Sequence, residues 1–331
     1  MELEQYKKNR IAEISKIYYT TLAKLNTALN QNISNIQRQR ITASNKTKLI
    51  NNLRVQYNTQ VTNLANQLNT DIQKIKAFIP TSIGQVKQKK ALMFGLNYIG
   101  TPYQLNGCID DCDRIKSKIT TYGFNAMNIN TFTDNSSQRP TKSVILQQLA
   151  NILLNSVEGD LIFFYYSGHG SYIRDTNGDE TDGKDECIVS VDLQYVVDDE
   201  LNNIIKTNIK KDVTLFCLFD SCHSGTILDL RYQYSNISES LVENMKNDEC
   251  LGNVVMISGC MDSQTSAEAY INGKTQGALT WAFIETLNKT QNPTWRQLLY
   301  SMRTLLKNNG YSQYPQLSTD SIFDIDSTIF I

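Results

Sequence analysis

The first 79 residues contain neither glycine nor proline. All 16 Gly and all 5 Pro of the 331-residue chain lie beyond them, beginning with Pro80 and Gly84. Glycine weakens helices through backbone freedom, and proline through its missing N–H. So long a stretch without either reads as helix. Histidine is scarcer still: only His169 and His223 are available for imidazole chemistry. No apolar run reaches the ~18–20 residues of a membrane span, and the opening MELEQYKKNR lacks the apolar core of a secretory signal. A cytoplasmic location without membrane attachment is expected. The seven Cys are odd in number and irregularly spaced, so they read as free thiols of a reducing compartment. Cys108 and Cys112 stand four apart, but no second Cys/His pair completes a zinc site.

Net charge is almost absent as well, at -1, yet this is the sum of two unlike parts. Residues 1–90 hold 15 Lys/Arg and 4 Asp/Glu, a net of +11, and residues 91–331 hold 17 and 29, a net of -12. The 40% hydrophobic content is ample for a core and excludes a disordered chain.

In the basic part, Ile11, Ile14, Tyr18, Leu22, Leu25, Leu29, Ile33 and Ile36 step by three, four and four. Ile50, Leu53, Tyr57, Val61, Leu64, Leu68, Ile72, Ile75 and Ile79 repeat that step, an 11-residue period that suits a straight or slightly right-handed bundle. The phase breaks between Ile36 and Ile50, where Thr42-Ala43-Ser44-Asn45 offers a cap. Two helices, about 3–41 and 45–79, are expected, as a hairpin or one bent rod. The other faces are rich in Asn and Gln with scattered Lys and lack interleaved aromatics, a poor match to a nucleic-acid binder.

After the linker Pro80–Gly84, apolar runs alternate with helical patterns. Strands are expected at Ala91–Tyr98, Ala126–Phe132, Asp160–Tyr166, Val213–Phe219 and Asn253–Ser258. Helices are expected at Cys108–Tyr122, Lys142–Leu154, Asp198–Lys206, Gly277–Leu287 and Trp295–Leu306. Ser-Ile-Phe-Asp-Ile-Asp near the C-terminus suggests a short final strand. Such alternation predicts an α/β fold with a mostly parallel sheet covered on both faces, whose ligand crevice lies at the carboxyl ends of the strands.

Two of those ends carry chemistry. LIFFYYSGHG delivers His169 and TLFCLFDSCHSG delivers Cys222, each flanked by Ser and Gly that let a substrate backbone approach. A thiol and an imidazole at neighbouring strand ends suit nucleophilic catalysis. His223, adjacent to Cys222, is expected to diverge from the thiol, which leaves His169 as the acid or base. Cys217 lies inside a strand and reads as core, and Cys260 in ISGC is the one rival nucleophile.

SGHG and DSCHSG, in this order, resemble the two signatures of the metacaspases, caspase-like cysteine peptidases. NYIGTPYQLNGCIDD, DGKDECIVSVD, the later DDE, SGCMDSQTSAEA, GALTWAFIETL and YPQLS are also similar to segments of that family. The resemblance spans about residues 88–331 and does not reach residues 1–85. It implies a caspase-like three-layer sandwich at 86–331; the helical pattern before it reads as a long all-α helical hairpin and linker at 1–85. By position, Cys222 matches the nucleophile and His169 its partner, and the backbone N–H groups of Gly170 and Cys222 match the oxyanion hole. Asp111 and Asp220 match the carboxylates of a pocket for Arg or Lys. Ser167 and Cys108 match pocket-lining positions, although a turn serine and a helix-packing cysteine would look the same in sequence. The charge agrees in sign: residues 158–200 hold 12 Asp/Glu against Arg174 and Lys184, a field that favours basic peptides.

Many metacaspases are calcium-activated, and Asp185, Asp198, Asp199 and Asp229 match the family's calcium ligands. A solvated acidic loop is the plainer alternative. Asp262, Gln264, Thr265 and Ser266 follow a strand and are expected to wall the crevice or cap the next segment. The reading is a calcium-stimulated cysteine endopeptidase that acts on basic peptides or proteins without an organic cofactor. It is expected to process itself at basic residues in or near Arg231–Lys246. It is also expected to be monomeric, with residues 3–79 as a regulatory or interaction arm. The alternative is an inert caspase-like scaffold acting through its helices.

Overall fold

The computed structural model describes residues 2–77, 86–174, 183–222, 225–234, 241–243, 250–259, 268–271, 274–321 and 325–329. They belong to two compact units, Met1–Pro80 and Thr81–Ile331.

The first unit is α1 (Glu2–Arg38) and α2 (Ala43–Ala77). Thr42 stands at the phase break and caps α2, its Oγ1 accepting from Asn45 N at 3.3 Å. The Lys46 ammonium donates to Gln37 O (2.7 Å), and that of Lys7 donates to Lys76 O (2.9 Å). Pairing both near and far from the turn makes this an antiparallel hairpin, not a bent rod. Two helices alone cannot enclose a seam, so Leu22, Leu25, Leu53 and Leu64 stay half-buried while Ile75 is fully buried.

The second unit runs β1 (Lys89–Gly95), α3 (Cys108–Thr120), β2 (Ile129–Thr133), α4 (Lys142–Leu154), β3 (Leu161–Ser167), β4 (Gly170–Arg174), β5 (Lys184–Val189), β6 (Tyr195–Val197), α5 (Asp198–Asn208), β7 (Thr214–Asp220), β8 (Tyr232–Tyr234), β9 (Leu241–Glu243), β10 (Asn253–Ser258), β11 (Glu268–Ile271), β12 (Lys274–Gly277), α6 (Ala278–Lys289), α7 (Trp295–Asn308) and β13 (Gln316–Thr319). Among the described residues the main sheet has the order β2-β1-β3-β7-β10-β13-β8-β9. It is parallel from β2 to β10 and antiparallel beyond.

Alternation along each strand splits the core. Met93, Phe163, Phe216 and Val255 face α3, α6 and α7, and Leu92, Phe164, Leu215 and Val254 face α4 and α5. Both faces are buried, so the strands are apolar throughout. On the first face Phe163 stacks among Phe216, Phe283 and Phe124, with centroids 5.3–6.5 Å apart. Burying one such ring is worth about 1.5–3 kcal/mol.

Two sequence expectations need correction. The run Ala126–Phe132 begins as a 3-10 turn over Ala126–Asn128, because Asn125 Oδ1 accepts from Met127 N at 3.0 Å, so the strand starts only at Ile129. Among the described residues the last strand of the sheet is Gln316–Thr319, ahead of Ser-Ile-Phe-Asp-Ile-Asp. Of that segment, residues 322–324 lie outside the described residues and Ile325–Asp326 form a turn. Gln316, Ser318 and Thr319 are buried polar residues, so this strand carries no apolar pattern. The antiparallel sheet β4-β5-β6 and the hairpin β11–β12 also went unread. No helix among the described residues is long and apolar enough to cross a membrane.

Candidate active site

The register of two neighbouring parallel strands sets the site. β3 and β7 pair so that Ser167 lies beside Asp220. Two residues beyond each stand His169 and Cys222. The backbones of Gly170 and Cys222 are nearly in contact. A Cβ on Gly170 would fall 1.8 Å from the Cys222 carbonyl oxygen and 3.2 Å from its nitrogen, so only glycine fits there. Cys222 is half-buried, whereas Cys108, Cys112, Cys187 and Cys217 are buried. Burial pushes Cys217 well above the ordinary thiol range and, with Asp320 nearby, Cys250 up to about 12. These two are unsuited to act as nucleophiles at neutral pH. Cys260 and His223 lie outside the described residues, as do Asp262, Gln264, Thr265 and Ser266.

His169 is held from one side by the loop after β1. Its Nε2 lies 2.7 Å from Tyr103 O. A carbonyl can only accept, so Nε2 carries the proton and Nδ1 is the basic nitrogen. The Tyr98 ring lies over the imidazole, with centroids 4.7 Å apart and planes 34° apart.

Beside this pair lie two buried carboxylates. Asp111, on the first turn of α3, is 0% exposed, and Asp220, at the end of β7, is 4% exposed. They meet at Gly277, where a Cβ would lie 2.1 Å from Asp220 Oδ2 and 2.9 Å from Asp111 Oδ2. Asp111 Oδ2 accepts from Gly277 N (2.8 Å) and Ser167 Oγ (3.4 Å), and its Oδ1 accepts from Arg114. Asp220 Oδ2 accepts from Thr280 N (2.8 Å) and Thr280 Oγ1 (2.7 Å). The Thr280 hydroxyl in turn receives Tyr165 OH at 2.7 Å. Burial, then the charge of Asp220, raises Asp111 to about 7, against the pull of Arg114 and the Gly277 N–H. Cys108 is buried one turn earlier on α3.

A second acidic cluster lies around the start of α5. Oxygens of Asp198, Asp199 and Asp229 fall within 4.8 Å of one another. Asp185 is outside that group of three, but its charge, like that of Glu186, bears on Asp198. The Glu186 N–H donates to Asp198 Oδ2 at 2.6 Å, and its Oε2 accepts from Thr226 Oγ1 at 2.6 Å. Asp229 has a φ of +44°, in the left-handed region, and its N–H donates to Thr226 O at 2.6 Å. Burial is the main cause that raises Asp198 to about 8, the carboxylates of Glu186 and Asp185 adding to it and the backbone N–H bonds opposing it. An all-oxygen donor set under mutual repulsion fits a hard cation.

Residue type and spacing do not single out Arg114, Gly277, Thr280, Glu186, Tyr98 or Tyr103, although all but Arg114 lie within NYIGTPYQLNGCIDD, DGKDECIVSVD or GALTWAFIETL.

A half-buried thiol and an imidazole thus stand just beyond two neighbouring strands of a mostly parallel sheet. Comparison with known proteins gives the class. A family profile described as the metacaspase, peptidase C14 domain, matches residues 89–231. Metacaspase-1B of Aspergillus fumigatus is 34% identical over 72% of this chain and 71% of its own length. Metacaspase-1 of Kluyveromyces lactis is 34% identical over 72% and 67%. The chain belongs to the metacaspase family of cysteine peptidases. A crystal structure of a Geobacter sulfurreducens protein shares the fold, with a TM-score of 0.54 at 24% identity over 72% of this chain and 95% of that one.

Proposed function

We propose that this metacaspase hydrolyses peptide bonds after Arg or Lys, through Cys222 and His169, and that calcium stimulates it. The observation that carries the specificity is the buried Asp111–Asp220 pair around Gly277, next to the strand ends that hold the two reacting groups. Two buried carboxylates select a cationic side chain and repel an acidic one.

The placement supports the following chemistry. His169 Nδ1 takes the Cys222 thiol proton, and the thiolate sulfur forms a bond to the scissile carbonyl carbon. The electron pair displaced onto the carbonyl oxygen is stabilised by the backbone N–H groups of Gly170 and Cys222. The C–N bond breaks as Nδ1 returns the proton to the leaving amine. Nδ1 then deprotonates a water, which attacks the thioester and releases the acid and the thiol. Throughout, Nε2–H stays on Tyr103 O, which supports the imidazolium.

Asp198, Asp199 and Asp229, with Asp185 and Glu186 beside them, would hold the cation. Calcium bound there would supply positive charge that relieves their repulsion, and Asp229 would tie it to the Thr226–Asp229 turn, a few residues beyond the nucleophile. Self-processing belongs to the same reading. Arg231 leads directly into β8, whose Tyr232 pairs with Thr319 of β13. Lys246 lies outside the described residues.

The test is hydrolysis of fluorogenic peptides with Arg, Lys or Asp before the scissile bond, with and without calcium. Wild type should cleave the first two, more so with calcium, while Cys222→Ala and His169→Ala should not. Equal rates in wild type and Cys222→Ala would overturn the reading in favour of a scaffold.

A further inference from the structure

His169 is held by more than its ring. Its peptide N–H donates to Tyr98 OH at 2.9 Å, and its carbonyl accepts from Tyr166 OH at 2.7 Å. The two hydroxyls lie 3.0 Å apart, and both lie 2.8 Å from Val189 O on β5. Val189 N donates to His169 O at 3.0 Å and also lies 3.2 Å from Tyr166 OH. Both polar groups of the His169 peptide and both of Val189 are thus tied to one buried hydroxyl pair. Tyr98 and Tyr166 are each 0% exposed, so no water competes.

The carrier of Tyr98 is itself built to hold position. Tyr98 has a φ of +52°, a conformation that a bulky residue adopts only when its surroundings dictate it. The residues on either side of it are clamped by one carboxylate, Asp134, which accepts from Asn97 N (2.7 Å) and Ile99 N (2.9 Å). Thr101 N and Oγ1 close the turn onto Tyr98 O at 3.1 and 2.8 Å. The same loop brings Tyr103 O to His169 Nε2. Gly168 leaves room for the pair, since a Cβ there would lie 2.7 Å from Tyr166 OH and 2.8 Å from Tyr98 OH. The core alone does not require this arrangement: phenylalanine at both positions would fill the same space, take the partners from His169 N and Val189 O, and leave His169 O only its bond from Val189 N.

We propose that Tyr98 and Tyr166 are positioning residues for His169, their hydroxyl pair fixing the peptide from which the imidazole reaches Cys222. This rests on the assignment of His169 as the partner of Cys222. It adds that the imidazole is aimed through its backbone, by a loop some seventy residues earlier in the chain. Angular error at that peptide is carried to the ring, and a displacement near 1 Å at a reacting group costs on the order of a hundredfold in rate.

Tyr98→Phe and Tyr166→Phe keep the rings and remove one hydroxyl each. Two readouts apply, both normalised to folded protein. In the peptide assay, each variant should lose about 10- to 100-fold in kcat with KM within about twofold. In the second, the rate of iodoacetamide alkylation at neutral pH is followed at the Cys222 peptide by mass spectrometry. His169→Ala sets the floor, and both variants should fall between it and wild type. The second readout needs no substrate. An inactive wild type whose Cys222 alkylation still depends on His169, Tyr98 and Tyr166 would refute the peptidase reading and keep this one. Wild-type kcat and alkylation in both variants would overturn it. So would a loss of activity that merely tracks a loss of folded protein.

Discussion

Replacing Asp111 by Asn should change the sign of its effect on stability between acid and neutral pH. Asp111 is raised to about 7, first by burial and then by Asp220, against roughly 3.9 in an unfolded chain. Between those values the folded protein holds a proton that the unfolded chain has lost, so stability falls as pH rises through the window. The stabilising protonated form is fully present below about pH 4, and its contribution is gone above about pH 7. Three units at about 1.4 kcal/mol each give roughly 4 kcal/mol. Asn carries no charge and escapes this loss, but it has one acceptor oxygen where Asp111 serves Gly277 N, Ser167 and Arg114. The lost acceptor costs about 1–3 kcal/mol at every pH. At pH 4.5 Asp111→Asn should therefore be the less stable protein by about that amount, and at pH 7.5 it should be the more stable by about 1–3 kcal/mol. For a unit of this size that is a rise in melting temperature of about 2–10 °C. Thermal and urea unfolding at both pH values, in a Cys222→Ala background to prevent self-cleavage, would measure it. An equal stability difference at the two pH values would refute the reasoning, because a missing hydrogen bond alone is not pH-dependent. The same substitution should abolish the preference for Arg and Lys, so the protein's electrostatic strain and its specificity share one carboxylate.

Calcium should raise the melting temperature of the wild type, by about 2.7 kcal/mol of stabilisation at a hundredfold excess over Kd. It should do so far less for Asp229→Asn or Asp198→Asn, and an undiminished response in both would remove the cluster from the cation's site. Gly170→Ala places a Cβ 1.8 Å from Cys222 O. The two backbones must separate, and activity should fall about a hundredfold; wild-type kcat would contradict the close approach. Phe163→Ala, in the middle of the aromatic stack, should cost about 3–5 kcal/mol in urea unfolding with little change in KM. A cost below 1 kcal/mol would mean that the stack does not carry this face of the core.

Several features were legible because they depend on neighbours along the chain. The two long helices follow from 79 residues without Gly or Pro and a regular apolar step on either side of one phase break; their pairing as a hairpin does not. The central strands follow from continuous apolar runs, and Ser–Gly flanks mark His169 and Cys222 at their ends. Illegible elements lacked that local signature. β13 is built from buried Gln, Ser and Thr, whose polar atoms find partners elsewhere in the fold. β5 opens on Lys184, Asp185 and Glu186, β4 is short and only partly buried, and the start of β2 is displaced by a single Asn side chain.

The sequence by itself determined which residue types stand at the strand ends and the sign of the charge around them. It also held the resemblance that names their family. Only the tertiary structure decided which of them meet. The β3–β7 register set Ser167 beside Asp220, α3 and Gly277 brought Asp111 to the same point, and the loop after β1 turned Tyr98 and Tyr103 onto His169. Such meetings join elements far apart in the chain. Their physical basis is burial: carboxylates, hydroxyls and peptide groups removed from water must find partners through space, and no spacing along the sequence records which ones they find.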